Sequence, residues 1–72
     1  MRTVQDYCRK LLWSISDLAH EARINWQTAS RAFYQEPVQA RTRRDICSAL
    51  TTALHKPIGE TDIEWQAESE GE

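Results

Sequence analysis

The sequence predicts an all-α fold, a compact bundle of four to five short helices. Apolar residues recur at helical spacing in four segments of the chain. Residues of the types that cap helices, Thr, Ser and Asn, precede three of those segments. The alternating, β-branched runs typical of strands are absent. With 72 residues the chain forms one small domain, which we place at residues 1–66.

The first two helices begin at sequences that predict capping boxes, in which two side chains satisfy free backbone N–H groups reciprocally. Thr3 with Asp6 predicts a helix over residues 4–12. Its apolar stripe consists of Val4, Tyr7, Cys8, Leu11 and Leu12. Ser14 with Asp17 predicts a second helix over residues 15–22. Its apolar face consists of Ile15, Leu18, Ala19 and Ala22.

An N-cap residue and a proline that interrupts the helical pattern predict where the third and fourth helices lie. Asn25 is the predicted N-cap of a helix over residues 26–34, which ends before Pro37. Its inward residues are Ala29, Ala32 and Phe33. A fourth helix is predicted over residues 40–54, ended by Pro57 and Gly59. Its apolar positions are Ile46, Ala49, Leu50, Ala53 and Leu54. A last turn over 61–65 is predicted to fold Ile63 and Trp65 back onto the core.

Charge is distributed unevenly along the chain. Residues 1–56 contain all nine Lys and Arg and five acidic residues, whereas residues 57–72 contain six acidic residues and no Lys or Arg. We expect residues 67–72 to form an acidic, disordered tail, because nothing apolar follows Ala67. This charge pattern is expected if residues 1–56 bind a polyanion and the tail does not. An acidic tail that merely keeps the protein soluble explains the pattern equally well.

The sequence argues against an enzyme, a cofactor and a metal site. Its two glycines are isolated and form no phosphate-binding loop. The spacing of His20, His55, Cys8 and Cys47 matches no zinc motif. We expect the two cysteines to be buried free thiols, with a bridge between them only if their helices pack together there. No apolar run is long enough to span a bilayer and no signal-peptide pattern is present, so we expect a cytoplasmic protein with no membrane partner.

Residues 14–33 resemble the helix-turn-helix of the Cro and lambda-repressor-like (Xre) family. The matching features are Leu18-Ala19 in the first helix, Ile24 after the turn, and the run from Thr28 to Arg31 in the second helix. With its flanking helices the resemblance covers about residues 3–65. The family usually has glycine at the position of Arg23, so Arg23 is expected to adopt a left-handed backbone at a cost of ~1 kcal/mol. Ala29 is smaller than the branched residue usual there.

The resemblance implies that the protein binds double-stranded DNA as a homodimer, with the second helix of the motif in the major groove. A small, repressor-like transcriptional regulator in a prokaryotic or phage-like context is the expected function. The residues expected to contact bases are Trp26, Gln27, Thr28, Ser30 and Arg31. Gln pairs with adenine and Arg with guanine in that groove. For Trp26, packing against the helix start and a place in a protein interface are alternatives.

Phosphate contacts are expected from residues at helix starts. They are Ser14, Asn25, Arg41, Arg43 and Arg44. For the three arginines, a solvated helix face with local pairing of Arg41 to Asp45 is the alternative.

A second hypothesis is a protein-interaction or self-assembly module, an accessory subunit of a larger complex that uses the same fold. Its support is an overall pI of about 5.6 and three tryptophans, Trp13, Trp26 and Trp65. Salt separates the two hypotheses, because phosphate contacts weaken steeply with ionic strength and a hydrophobic interface does not.

Overall fold

A computed structural model describes residues 2–65 and confirms the all-α fold. Its helices are α1 (Val4–Leu11), α2 (Ile15–Ala22), α3 (Trp26–Phe33) and α4 (Ala40–Leu54), followed by a 3-10 turn at Glu60–Asp62. In this part of the chain no helix has the length and apolar character required to cross a bilayer. The acidic tail predicted at residues 67–72 lies outside the described residues.

Both predicted capping boxes are present. The Asp6 N–H donates to Thr3 Oγ1 at 3.2 Å, and the Thr3 N–H donates to an Asp6 carboxylate oxygen at 3.0 Å. The same pair of bonds joins Ser14 and Asp17, at 3.2 and 2.9 Å. Backbone N–H donation from Thr3 and from Ser14 lowers the pKa of the Asp6 and Asp17 carboxyls below the usual 3.8. The sequence located these helix starts correctly because the bonds are local.

The end of α1 differs from the prediction. Leu12 lies outside the helix in a left-handed conformation, with φ of 61°, and its side chain is 88% exposed. The assignment of Leu12 to the apolar stripe is therefore wrong. The chain reverses at Leu12, where the Trp13 N–H donates to Cys8 O at 2.8 Å. As is common after such a reversal, the next residue, Trp13, packs against the core instead.

The core lies where α2 packs against α3 and α4, and where α1 packs against α3. Its fully buried large side chains are Val4, Cys8, Leu18, Ile46 and Leu50. Cys8 and Cys47 are buried free thiols, and burial raises the pKa of each to about 11. Val38 and Ile58 join the core from non-helical segments that show no helical apolar spacing.

The final described segment ties the two ends of the domain together. The predicted turn over 61–65 lies at Glu60–Asp62, and Ile63 is extended and forms a parallel bridge with Arg2. Ile63 is buried and Trp65 packs partly against the core, as predicted. The bridge to Arg2 was not predicted, because a single paired residue leaves no periodic signal in the sequence.

Candidate nucleic-acid interface

The centre of the candidate site is the pair α2 and α3, two eight-residue helices joined by residues 23–25. Arg23 adopts the predicted left-handed conformation, with φ of 58° and ψ of 45°. This conformation lets the Ile24 N–H donate to Ala19 O at 3.0 Å, and Ile24 then packs against the core. Ala29 is fully buried, which allows α3 to approach α2 closely. One side of α3 is therefore committed to the domain interior.

The opposite side of α3 carries the residues predicted to contact bases. Gln27 and Arg31 are exposed, whereas Thr28 and Ser30 are half-buried at the edges of this face. Gln27 and Arg31 are four positions apart and so lie on the same face, one above the other. Trp26 is 54% exposed, which favours contact with DNA or with a protein over packing against the helix start.

The helix starts at Ser14 and Asn25 differ in what they offer to a phosphate. Asn25 Oδ1 accepts the Thr28 N–H at 2.7 Å, which leaves the Asn25 amide NH₂ as a donor at the exposed end of α3. Ser14 Oγ donates to the Asp17 carboxylate at 3.1 Å. Its proton is therefore occupied and a negative charge lies beside it. Of the two, Asn25 is the better-placed phosphate ligand.

The three arginines at the start of α4 have different environments. Arg41 and Arg44 are exposed. Arg43 turns inward: one guanidinium nitrogen, Nη1, donates to Val38 O at 2.8 Å, and Nε pairs with Glu60 Oε1 at 3.4 Å. Arg43 therefore holds the 3-10 turn against α4. Within residues 2–65, Arg41 and Asp45 form no ion pair, so the local pairing considered for Arg41 does not occur.

The start of α4 has a feature that the sequence analysis missed. Gln39 occupies the N-cap position without a side-chain hydrogen bond, and no acidic residue lies in the first turn. The first intrahelical bond runs from the Arg43 N–H to Gln39 O, at 3.1 Å. The N–H groups of residues 40–42 are consequently open to an acceptor from outside the helix. The sequence does contain a signal for this open helix start, because position 39 is not Ser, Thr, Asn or Asp, the residue types that usually cap a helix.

A groove connects the exposed face of α3 with the start of α4. Its volume is about 320 Å³, and its lining residues are Thr28, Arg31, Pro37, Val38, Gln39 and Thr42. The groove brings the predicted base-contacting residues next to the predicted phosphate-contacting segment. Gln39 and Thr42 were not predicted as site residues, because only the path of the chain from α3 to α4 brings them beside Thr28 and Arg31.

Comparison with family models, with curated proteins and with solved structures finds no match for this chain. The resemblance to the Xre-type family therefore stays a prediction, and the function is inferred from the geometry of the candidate site.

Proposed function

We propose that this protein binds double-stranded DNA through α3 in the major groove and acts as a small, repressor-like transcriptional regulator in the cytoplasm. The observation that carries the proposal is the division of α3 into two faces. Ala29 and Ala32 are buried against the domain, whereas Gln27 and Arg31 are exposed. A short helix with one polar face left open and an exposed basic segment beside it fits the major groove of DNA.

The spacing on α3 matches the spacing of base pairs. Gln27 and Arg31 are four residues apart, which is about 6 Å along a helix axis. Two base-pair steps of DNA span about 6.8 Å. Gln27 is therefore suited to adenine and Arg31 to guanine roughly two steps away. The half-buried Thr28 lies at the edge of this face, beside the groove, where its methyl group suits contact with a thymine methyl.

Phosphate contacts come from the start of α4 and from Asn25. Arg41 and Arg44 are exposed, and the open N–H groups of residues 40–42 give this helix start a partial positive charge. The groove beside Arg31 brings Gln39 and Thr42, at the start of α4, to the flank of α3. Arg43, expected from the sequence to contact phosphate, does not do so in this arrangement, since its guanidinium is bound to Val38 and Glu60.

The decisive experiment is selection of bound fragments from a random duplex library at about 100 mM salt. We expect one enriched motif, and a palindrome with half-sites about one helical turn apart if the DNA-binding form is a dimer. Gln27→Ala and Arg31→Ala should each lose discrimination at one base pair, worth about 1–3 kcal/mol. Arg9→Ala, on the exposed side of α1, is the matched control and should keep the motif.

Two outcomes would contradict this proposal. Folded protein that enriches no motif would remove the assignment of sequence-specific binding. Variants at Gln27 and Arg31 that both keep the wild-type motif would show that the exposed face of α3 does not read the bases.

The second candidate function, a protein-interaction module, is favoured by exposed apolar side chains. Leu12 is 88% exposed, Tyr34 61% and Trp26 54%, whereas Trp13 and Trp65 pack partly against the core. Trp26 and Tyr34 lie at the two ends of α3. A complex built on them should persist between 0.1 and 0.5 M salt in sedimentation experiments, while DNA binding should be lost. Trp26→Ala should dissociate such a complex.

A further inference from the structure

The place of the α4 start beside α3 depends on the residues that join the two helices, residues 34–39. α3 packs against α2 and α1, whereas α4 packs against α2 and the 3-10 turn. The first part of the connection is bound to the end of α3, since the Glu36 N–H donates to Arg31 O at 2.7 Å. The position of Gln39, and of the open N–H groups after it, is therefore decided by how Val38 is held.

The backbone at Val38 is bonded to a single side chain, that of Arg43. Arg43 Nη1 donates to Val38 O at 2.8 Å. Pro37 has no N–H, and within residues 2–65 no other hydrogen bond reaches the backbone of Pro37 or Val38. The Val38 side chain is buried, which fixes its depth in the domain. The bond to its carbonyl orients the peptide that leads into Gln39.

Glu60 in turn holds the guanidinium of Arg43. The Glu60 carboxylate pairs with Arg43 Nε at 3.4 Å, so that one planar group is bonded at two of its nitrogens. The segment around Glu60 has bonds of its own. The Glu60 carbonyl accepts the Trp65 indole N–H at 2.9 Å, and Ile58 exchanges two hydrogen bonds with the hydroxyl of Thr51 on α4. Glu60 therefore lies on a segment that is bonded to α4 independently of Arg43.

We propose that Arg43 and Glu60 are positioning residues for DNA recognition, which set the place of Gln39 and of the α4 start relative to Arg31. This inference rests on the proposed function. Gln39 lines the groove beside Arg31, its side chain forms no cap hydrogen bond, and the first residues of α4 present open N–H groups. Phosphate contacts fix the register of a protein on the duplex, so a displaced α4 start moves Arg31 away from its base.

Arg43→Lys separates the position of this segment from its charge. The lysine ammonium keeps the positive charge, but it lacks the planar fork that reaches Val38 and Glu60 together. Nonspecific binding depends on charge, so the affinity for an unrelated duplex and its salt slope should stay those of the wild type. Binding to the selected motif requires the correct register and should weaken.

The first test needs no DNA. The carbonyl carbon signal of Val38 and the amide signal of Gln39 are recorded by NMR for the wild type, for Glu60→Ala and for Thr61→Ala. Thr61 is exposed on the same turn and provides the matched control. We expect Glu60→Ala to move both signals, because Arg43 is then free to leave Val38 O, and Thr61→Ala to leave them in place. Unchanged signals in Glu60→Ala would overturn the inference whether or not the protein binds DNA.

The second test measures the ratio of the affinities for the selected motif and for an unrelated duplex, at about 100 mM salt. A loss of stability alone leaves this ratio unchanged, because it lowers the concentration of folded protein equally for both duplexes. We expect the ratio to fall about three- to tenfold in Arg43→Lys and in Glu60→Ala, since the register is loosened while every base-contacting side chain is kept. Arg9→Lys, on the exposed side of α1, should keep the ratio.

Glu60→Gln distinguishes the position of the segment from the charge of Glu60. It carries the same charge as Glu60→Ala, but its amide oxygen still accepts from Arg43 Nε, so it should lose less of the ratio. Equal losses in the two Glu60 variants would make the effect one of charge and overturn the inference, as would a wild-type ratio in both Arg43→Lys and Glu60→Ala. A wild type that prefers no motif would instead overturn the proposed function, while the Val38 signal still decides whether Glu60 holds the connection.

Discussion

Arg43 and Arg44 are neighbours on α4 with opposite environments, and their separate replacement by glutamine tests the site. Arg44 is exposed, whereas the Arg43 side chain is 21% exposed and bonded to Val38 and Glu60. Each phosphate neutralised by a cationic side chain contributes about −0.9 to the slope of log K against log salt. Arg44→Gln should therefore make the slope shallower by about 0.9 per bound subunit. It should leave the free energy of unfolding within about 0.5 kcal/mol of the wild type.

Arg43→Gln should instead lower the free energy of unfolding and leave the salt slope unchanged. A charged hydrogen bond to a carbonyl and a half-exposed ion pair together suggest a loss of about 1–2 kcal/mol in the free energy of unfolding. In a domain of this size that loss lowers Tm by about 4–8 °C per kcal/mol. The salt slope of the folded variant should stay that of the wild type, since the Arg43 guanidinium is bonded to Val38 and Glu60 within the domain.

The assay is fluorescence anisotropy of a labelled duplex between about 50 and 200 mM salt, with urea unfolding of the same samples. If Arg43→Gln and Arg44→Gln flatten the slope equally, Arg43 leaves Glu60 to bind phosphate and our reasoning from its internal contacts is refuted. If neither changes the slope, Arg44 does not neutralise a phosphate and that assignment is refuted.

Three further predictions concern stability and reactivity. Leu12→Gly should raise the free energy of unfolding by about 1 kcal/mol relative to Leu12→Ala, because glycine relieves the left-handed backbone of this residue. A lower stability of Leu12→Gly than of Leu12→Ala in urea unfolding would contradict the left-handed conformation. Because the pKa values of Asp6 and Asp17 are lowered in the folded protein, the stability that these carboxylates contribute is present above about pH 3.8 and is lost as the pH falls below that value. Asp17→Asn should therefore reduce the difference between the free energies of unfolding measured at pH 6 and at pH 3. Cys8 and Cys47, with pKa about 11, should react with a thiol reagent at neutral pH much faster in urea than in buffer, and equal rates would contradict their burial.

The features that the sequence predicted correctly are those decided within one helical turn. The boxes at Thr3 and Ser14 and the cap at Asn25 each join residues three positions apart, and they located three helix starts. The end of α1 was missed because no glycine marks the left-handed residue, which here is Leu12. Glycine is the usual residue at such a helix end, and in this chain leucine occupies the position instead.

Features that depend on distant residues could not be predicted. Arg43 looked equivalent to Arg41 and Arg44 in the sequence, but its carboxylate partner, Glu60, is 17 positions away. The groove beside Arg31 likewise depends on the path that residues 37–39 take between α3 and α4. Of the five residues predicted on the exposed face of α3, Trp26, Gln27 and Arg31 are exposed, whereas Thr28 and Ser30 are half-buried. Helical periodicity separates the two sides of a helix without tertiary information, but neighbouring elements decide how far its edges are covered.

The bridge between Arg2 and Ile63 has a practical consequence for work with this protein. The Glu64 N–H donates to Arg2 O at 2.7 Å, so both ends of the described chain emerge at the same place. Gln35 also contacts Glu64 there, which puts that place near the end of α3. A purification tag or fluorescent fusion joined directly at Arg2 or at Trp65 would therefore crowd the same surface. Label attachment at an exposed position on α1, such as Lys10, would leave that surface clear.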